Sequence, residues 1–184
     1  MENKSWYSRL WKGVFTVGRG YCAVAWTHQG LSALVLPQKS KTTALRKLAS
    51  YLPPLPEAIW NRPLAKVPPQ IQKQTLAALK GRGFRLSKFD ITFLTPFQQR
   101  ILWATCQIPW GQYRTYGWVA RKAGSPRGFR AAGQALNRNP IPLFIPCHRV
   151  VASGNRLGGY GGGIDWKIRL LEKEGVAVKG GFVR

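Results

Sequence analysis

The chain has 184 residues, 45% of them hydrophobic, with 20 glycines and 13 prolines: enough to bury a core in one large or two small domains, and too apolar for a disordered chain. Lys and Arg number 29 against 6 Asp and Glu, a net charge of +23 carried by both halves, so polyanions are the expected partners, nucleic acid ahead of an anionic membrane surface. Three cysteines without CxxC spacing, an N-terminus without a signal-like apolar core and the lack of an apolar run near 20 residues argue against a secreted disulfide scaffold and a membrane-spanning helix, and a reducing compartment is expected.

The first segment to show a pattern is Gly13 to Pro37, which alternates and is rich in β-formers; with "THQG" (Thr27–Gly30) as a turn it predicts a hairpin. "TTALRKLASYL" places Leu45, Leu48 and Leu52 at helical spacing with Ala44 and Ala49 beside them, and Pro53, Pro54 and Pro56 end that helix. "IQKQTLAALKG" predicts another, with Ile71, Leu76 and Leu79 inward and Gly81 as its stop. "FDITF" (Phe89–Phe93) reads as a strand, so the first half is α/β.

From "TPFQQRILWATCQIPWG" onward helices dominate. Thr95 is the expected N-cap, Pro96 the first helical residue, and Phe97, Ile101, Leu102 and Thr105 lie near one face. "TYGWVARKAG" follows with Thr115 as cap and Gly124 as stop. "SPRGFRAAGQALNRNP" repeats the device, with Ser125 as cap, Pro126 in the first turn, and Phe129, Ala132, Gly133 and Leu136 inward. Short helices joined by a tight turn are the pattern of a helix-turn-helix, and of ordinary helical subdomains too; the charge favours DNA. Beyond Asn139 the prolines at 140, 142 and 146 make an irregular rail leading to "PCHRV". A glycine-rich loop at 154–163 lacks the Lys-Ser/Thr ending of a P-loop and suits close backbone approach to a ligand. "DWKIRLLEKEG" closes the pattern as a helix capped by Asp165 and stopped by Gly175.

Cys22, in an alternating strand, and Cys106, in an apolar helix, read as small buried hydrophobes. Cys147 differs, because a histidine, an arginine and a stiffened backbone surround it. The chain has only two histidines, His28 and His148, too few for a zinc site with this cysteine, which leaves nucleophilic chemistry. A thiol with a pKa near 8.5 needs a base or a positive environment to react at neutral pH. His148 is the candidate base, although in an extended segment it points away from the sulfur and reaches it only through a bend or a water. The carboxylates available to orient it are Asp165, Glu172 and Glu174.

"TPFQQRILW", "YGWVA", "FRAAGQALNRNPIPLFIPCHRVV", "GGYGGG" and "WKIRLLEKEG" resemble, in order and spacing, the O-6-alkylguanine-DNA alkyltransferases, across roughly the whole second half. The resemblance implies an α/β N-terminal domain over 1–92, an antiparallel sheet with helices of RNase H-like type. It implies a mainly α C-terminal domain over 93–184 with a winged-helix-like helix-turn-helix. It implies direct, irreversible transfer of an alkyl group from O-6-alkylguanine in double-stranded DNA to Cys147, in a single turnover. His148 would polarise a water that takes the thiol proton, Glu174 would hold His148, and Asn139 would tie the recognition helix to the active-site segment. Tyr116 would donate to the departing guanine and help to rotate the phosphate. Arg130 would be the finger that enters the duplex where the damaged base has left, with Ser125, Arg127, Ala131, Gln134 and Arg138 as further DNA contacts. Tyr160, Gly161, Val150 and Arg149 would form or support the base pocket, Arg149 in a structural part. No metal or cofactor is expected. The protein is expected to be a monomer working with DNA in the cytoplasm, or the nucleus of a eukaryote, away from membranes.

Two departures are visible. Gly161 stands where relatives often carry serine, and the first half has no Cys/His cluster for the structural zinc of some members. The alternatives are a non-catalytic helix-turn-helix regulator or lesion-recognition protein, and a Cys-His hydrolase. The first leaves His148 and Glu174 without a purpose, and the cysteine is not replaced by the tryptophan of alkyltransferase-like proteins, which weighs against pure lesion binding; the second leaves the +23 charge unexplained.

Overall fold

The computed structural model describes residues 6–82 and 88–184, which divide into two compact units, Met1–Ala77 with Phe84–Leu94 and Ala78–Gly83 with Thr95–Arg184 so far as their described residues go. In the first unit, β1 (Trp11–Val17), β2 (Gly20–Thr27) and β3 (Gly30–Gln38) form an antiparallel sheet in the order β1-β2-β3. There are therefore two hairpins where the sequence predicted one. The unrecognised turn falls at Gly18 and Arg19, where Gly18 takes a φ of +57° that a two-residue loop needs and β-branched neighbours resist.

Helix α1 (Lys41–Tyr51) starts at Ser40, whose hydroxyl accepts the Thr43 N–H, a cap whose removal typically costs about 1 kcal/mol. Ala44, Leu48 and Leu52 pack against Ala23, Ala25, Ala33 and Val35. These sheet positions alternate along β2 and β3, and their small side chains let the helix approach closely. Ala49, expected inward, is exposed. Helices α2 (Glu57–Trp60) and α3 (Pro69–Leu79) follow; α3 buries Ile71, Thr75, Ala78 and Leu79, and Leu76 is only half-buried. "FDITF" is not a strand. Only Phe89 pairs, with Leu31, and the chain then turns because the buried Asp90 carboxylate gathers the hydroxyls of Thr27 and Thr92 at 2.5 and 2.7 Å.

The second unit opens with α4 (Pro96–Cys106), capped reciprocally by Thr95 and Gln98 as the Thr-Pro start predicts. A two-residue strand β4 (Arg114–Thr115) leads into α5 (Tyr116–Lys122), capped by Thr115. Gly124, at φ +75°, ends α5, and the Ser125 N–H returns to the Ala120 carbonyl. The Ser125 carbonyl accepts the Gly128 N–H in a turn, and Gly128, not Ser125, is the cap of the next helix. α6 (Phe129–Asn137) begins three residues later than expected, capped by Gly128, with Ala132, Ala135 and Leu136 buried and Phe129 exposed. Strand β5 (Val150–Val151) pairs in parallel with β4. α7 (Ile164–Lys173) follows Gly163, with Asp165 in its first turn and not at its cap, and Gly175 at φ +83° just beyond its end. A hairpin of β6 (Val178–Lys179) and β7 (Phe182–Val183) closes over Val151, Leu157, Leu171 and Val176. Among the described residues no helix is long and apolar enough to cross a membrane.

Candidate active site

The rail after α6 is held by one side chain. Asn139 is buried; its Oδ1 accepts the Ile141 N–H at 3.0 Å, and its Nδ2 donates to the Ile145 carbonyl at 2.9 Å and to Cys147 Sγ at 3.0 Å. Between these anchors Leu143 adopts a φ of +83°, a left-handed conformation that costs a branched side chain energy and persists because the surrounding contacts enforce it. Cys147–Arg149 then forms a single 3-10 turn. The extended geometry expected at this point is therefore corrected: the turn redirects His148.

Cys147 is only 6% exposed. Burial pushes its pKa up, while the hydrogen bond from Asn139, the positive charge of Lys167 and a hydrogen bond with Tyr160 pull it down. Behind it, His148 Nε2 lies 2.8 Å from Glu174 Oε1. Arg149 forks onto the same carboxylate, Nε to Oε2 at 2.8 Å and Nη2 to Oε1 at 3.0 Å, and its Nη1 donates to the Ile108 carbonyl at 2.6 Å. Burial raises the Glu174 pKa, but the hydrogen bonds from His148 and Arg149 outweigh it and hold the carboxyl below its usual value. Burial lowers the His148 pKa against the pull of Glu174, which favours the neutral ring. A neutral ring that donates through Nε2 offers a lone pair at Nδ1, which has no hydrogen-bond partner among the described residues.

Lys167 is the residue that sequence reasoning missed. Its side chain is fully buried and its ammonium donates to the carbonyls of Val150 (2.6 Å), Leu157 and Gly159 (3.4 Å), tying the active-site strand to the glycine-rich loop. Burial lowers its pKa to about 8, with the Cys147 thiolate raising it. The signal was available: Lys167, Leu170, Leu171 and Glu174 follow the spacing of a buried helix face, so a lysine sat on the apolar stripe of α7.

A cavity of about 280 Å³ opens onto Cys147. Tyr116, Gly159, Tyr160 and Gly161 line it from one side, and Gly133, Gln134, Leu136 and Asn137 from α6. The Tyr116 hydroxyl donates to the Gly159 carbonyl at 3.3 Å. Val150 and Arg149, expected at the base pocket, do not line it: the first is buried beside β4 and the second is engaged with Glu174. The departure at Gly161 has a local cause, since a Cβ there would come within 2.7 Å of the Asn137 carbonyl oxygen.

Along α6 the exposed side chains are Arg130, Ala131, Gln134, Asn137 and Arg138; Arg127 is exposed in the turn before it, and Ser125 is half-buried. Phe129, expected inward, is 51% exposed because it occupies the first helical position, ahead of the buried stripe. Among the described residues no three His, Cys, Asp or Glu side chains are grouped to hold a metal ion.

Residues 96–176 match the family model described as 6-O-methylguanine DNA methyltransferase, DNA binding domain. Among curated proteins, the methylated-DNA–protein-cysteine methyltransferase of Methanosarcina barkeri is 46% identical over 93 residues, 49% of this chain and 59% of that protein. The protein of the same name from Methanothermobacter thermautotrophicus is 52% identical over 98 residues, 53% and 54% of the two chains. The matched stretch spans 48% to 66% of the length of the curated relatives. Among solved structures, Mycobacterium tuberculosis O6-methylguanine methyltransferase superposes with a TM-score of 0.65 at 32% identity, covering 90% of this chain and 92% of that one. The M. tuberculosis OGT in complex with DNA gives 0.68 at 30% identity, covering 89% and 92%.

Proposed function

Because this chain belongs to the 6-O-methylguanine DNA methyltransferase family, we propose that it repairs DNA by moving the alkyl group of O-6-alkylguanine onto Cys147, once per protein molecule. The observation that carries this reading is Cys147 at the base of an open cavity, its sulfur held by Asn139 and backed by the His148–Glu174 pair. An inert buried cysteine calls for none of these.

The thiol proton passes by way of a water to Nδ1 of His148, and Glu174 stabilises the imidazolium that results. The thiolate, favoured by the Lys167 charge, attacks the sp3 carbon in line; the S–C bond forms as the C–O6 bond breaks, and the electron pair leaves with guanine. Tyr116 is the proton donor as charge develops on the base. The product is a thioether with no electrophilic carbonyl for water to attack, so the cysteine is not regenerated. Arg149 and Lys167 position the groups that react: Arg149 fixes Glu174, and Lys167 fixes the loop bearing Tyr160 and Gly161.

The target oxygen is inaccessible in a paired helix, so the base must leave the stack. α6 supplies Arg130 to the vacated position, with Ala131, Gln134 and Arg138 along the groove and Ser125 and Arg127 at the preceding turn. The α5–α6 pair supports a winged-helix-like domain over 93–184, and the sheet with α1 on one face supports an RNase H-like domain over 1–92. The protein acts as a monomer on DNA, in the cytoplasm or a nucleus. The test is to incubate it with a duplex bearing one methylated guanine and weigh the tryptic peptides. The Cys147 peptide should gain one methyl group, with at most one transfer per protein; repeated turnover or methylation elsewhere would overturn the reading.

A further inference from the structure

A single exposed aromatic residue requires no explanation by itself. Phe129 differs in three respects. The Arg130 guanidinium carbon lies 5.8 Å from its ring centroid. The other exposed residues of α6 and its C-cap are polar or small, being Arg130, Ala131, Gln134, Asn137 and Arg138, so the ring, at the first helical position, is the one large apolar group exposed on the helix among the described residues. The same helix lines the cavity above Cys147 from Gly133 onward, which is four residues, or about 6 Å along the axis, from Phe129.

We infer that Phe129 is a second wedge for the duplex: its ring stacks on a base next to the vacated position while Arg130 occupies the vacancy itself. This rests on the repair reading above. Removing a base from the stack leaves its neighbours with bare aromatic faces, and an inserted guanidinium offers them charge and hydrogen bonds but little apolar contact. An aromatic side chain restores that contact on any base, because every base has a π face. The ring also holds the guanidinium through a cation–π contact before DNA arrives, so Arg130 loses less rotamer freedom on insertion. The positive charge of Arg130 beside the ring, with exposed Arg127 in the preceding turn and Arg138 at the end of α6, selects a polyanion over an apolar protein surface as the occupant.

The test is a double-mutant cycle across the interface. Wild type, Phe129→Ala and Phe129→Trp are compared on a methylated duplex, on the same duplex with an abasic residue placed in turn at each position flanking the lesion, and on free 6-O-methylguanine. On the intact duplex Phe129→Ala should slow transfer about tenfold more than it does on the free base, the loss of one base–aromatic stack. Phe129→Trp should retain the wild-type ratio. At one flanking position the abasic substitution should erase the difference between wild type and Phe129→Ala. Equal losses on all substrates, or no coupling at any flanking position, would overturn the wedge. So would sedimentation showing that wild type self-associates through this ring and Phe129→Ala does not. Failure of the wild type to accept the methyl group at Cys147 would instead sink the repair reading, and the wedge with it.

Discussion

Nε2 of His148 and Oε1 of Glu174 are 2.8 Å apart in a space closed to solvent, and that contact turns the opposite nitrogen of the ring, Nδ1, into the basic one. If the two residues act as a relay, their losses overlap. His148→Gln and Glu174→Gln should each slow methyl transfer by about 100-fold or more, in the range of lost general base catalysis, and the double variant should fall little below the worse of them. Losses that multiply would show that the residues work separately.

Glu174 also neutralises Arg149, so deleting its carboxylate strands a buried guanidinium. Glu174→Ala should lose about 3 kcal/mol of stability or more, read as a lowered urea midpoint, whereas His148→Gln should lose distinctly less.

Acid should unfold the protein early. Between about pH 6.5 and the lower pKa of folded His148, the unfolded chain binds a proton that the folded chain does not, and the same holds for Glu174 below about 4.5. In both windows stability is lost as pH falls. Thermal midpoints should therefore be level just above pH 7 and decline through about pH 6, and His148→Gln should remove the upper part of that decline. A flat wild-type profile down to about pH 5 would contradict it.

Lys167 carries the opposite edge. With a pKa of about 8 in the fold against 10.5 unfolded, it loses its proton first in the folded state, so its contribution makes stability rise with pH across that window. Lys167→Met should abolish that rise. It should also move the pH profile of thiol alkylation by iodoacetamide upward, since the charge that favours the Cys147 thiolate is gone. An unmoved profile would confine Lys167 to holding the loop.

Cys147→Ala should bind duplex DNA nearly as wild type does while transferring nothing, because phosphate contacts dominate affinity. Arg130→Ala should impair repair of duplex lesions far more than transfer from a free alkylated base, whereas a lysine that only touches phosphate should lower the salt slope by about one unit without that asymmetry. Proportional losses on both substrates would leave Arg130 as one more positive charge.

The main elements of the second half were legible because their boundaries are written in cap chemistry: Thr95-Pro96, Thr115 and Gly124 each stand where the structure uses them. Ser125-Pro126 imitates that signal. Ser125 instead ends α5, its N–H bonded to the Ala120 carbonyl, and opens a turn to Gly128, so the helix starts later and Phe129, though in line with Ala132 and Leu136, becomes its first, exposed residue. "FDITF" has the composition of a strand, but the pull of Thr27 and Thr92 on Asp90 outweighs propensity. Cys147 and His148, read from the residues themselves, and Glu174 and Asn139, singled out by the resemblance, are brought together in space. Lys167 escaped because lysine is read by habit as solvent-facing.

Gly161 sets a boundary for anyone wishing to re-engineer the pocket by laboratory evolution. Any L-residue there pushes a Cβ against the Asn137 carbonyl, which belongs to the last turn of α6, so a new side chain would be accommodated only by displacing the helix end. Libraries that randomise this position should return glycine and small residues such as the serine of relatives, and reject bulky ones. Tolerance for bulkier alkyl groups would then have to be sought at Gln134 and Tyr160, whose side chains line the cavity and can be shortened without moving backbone.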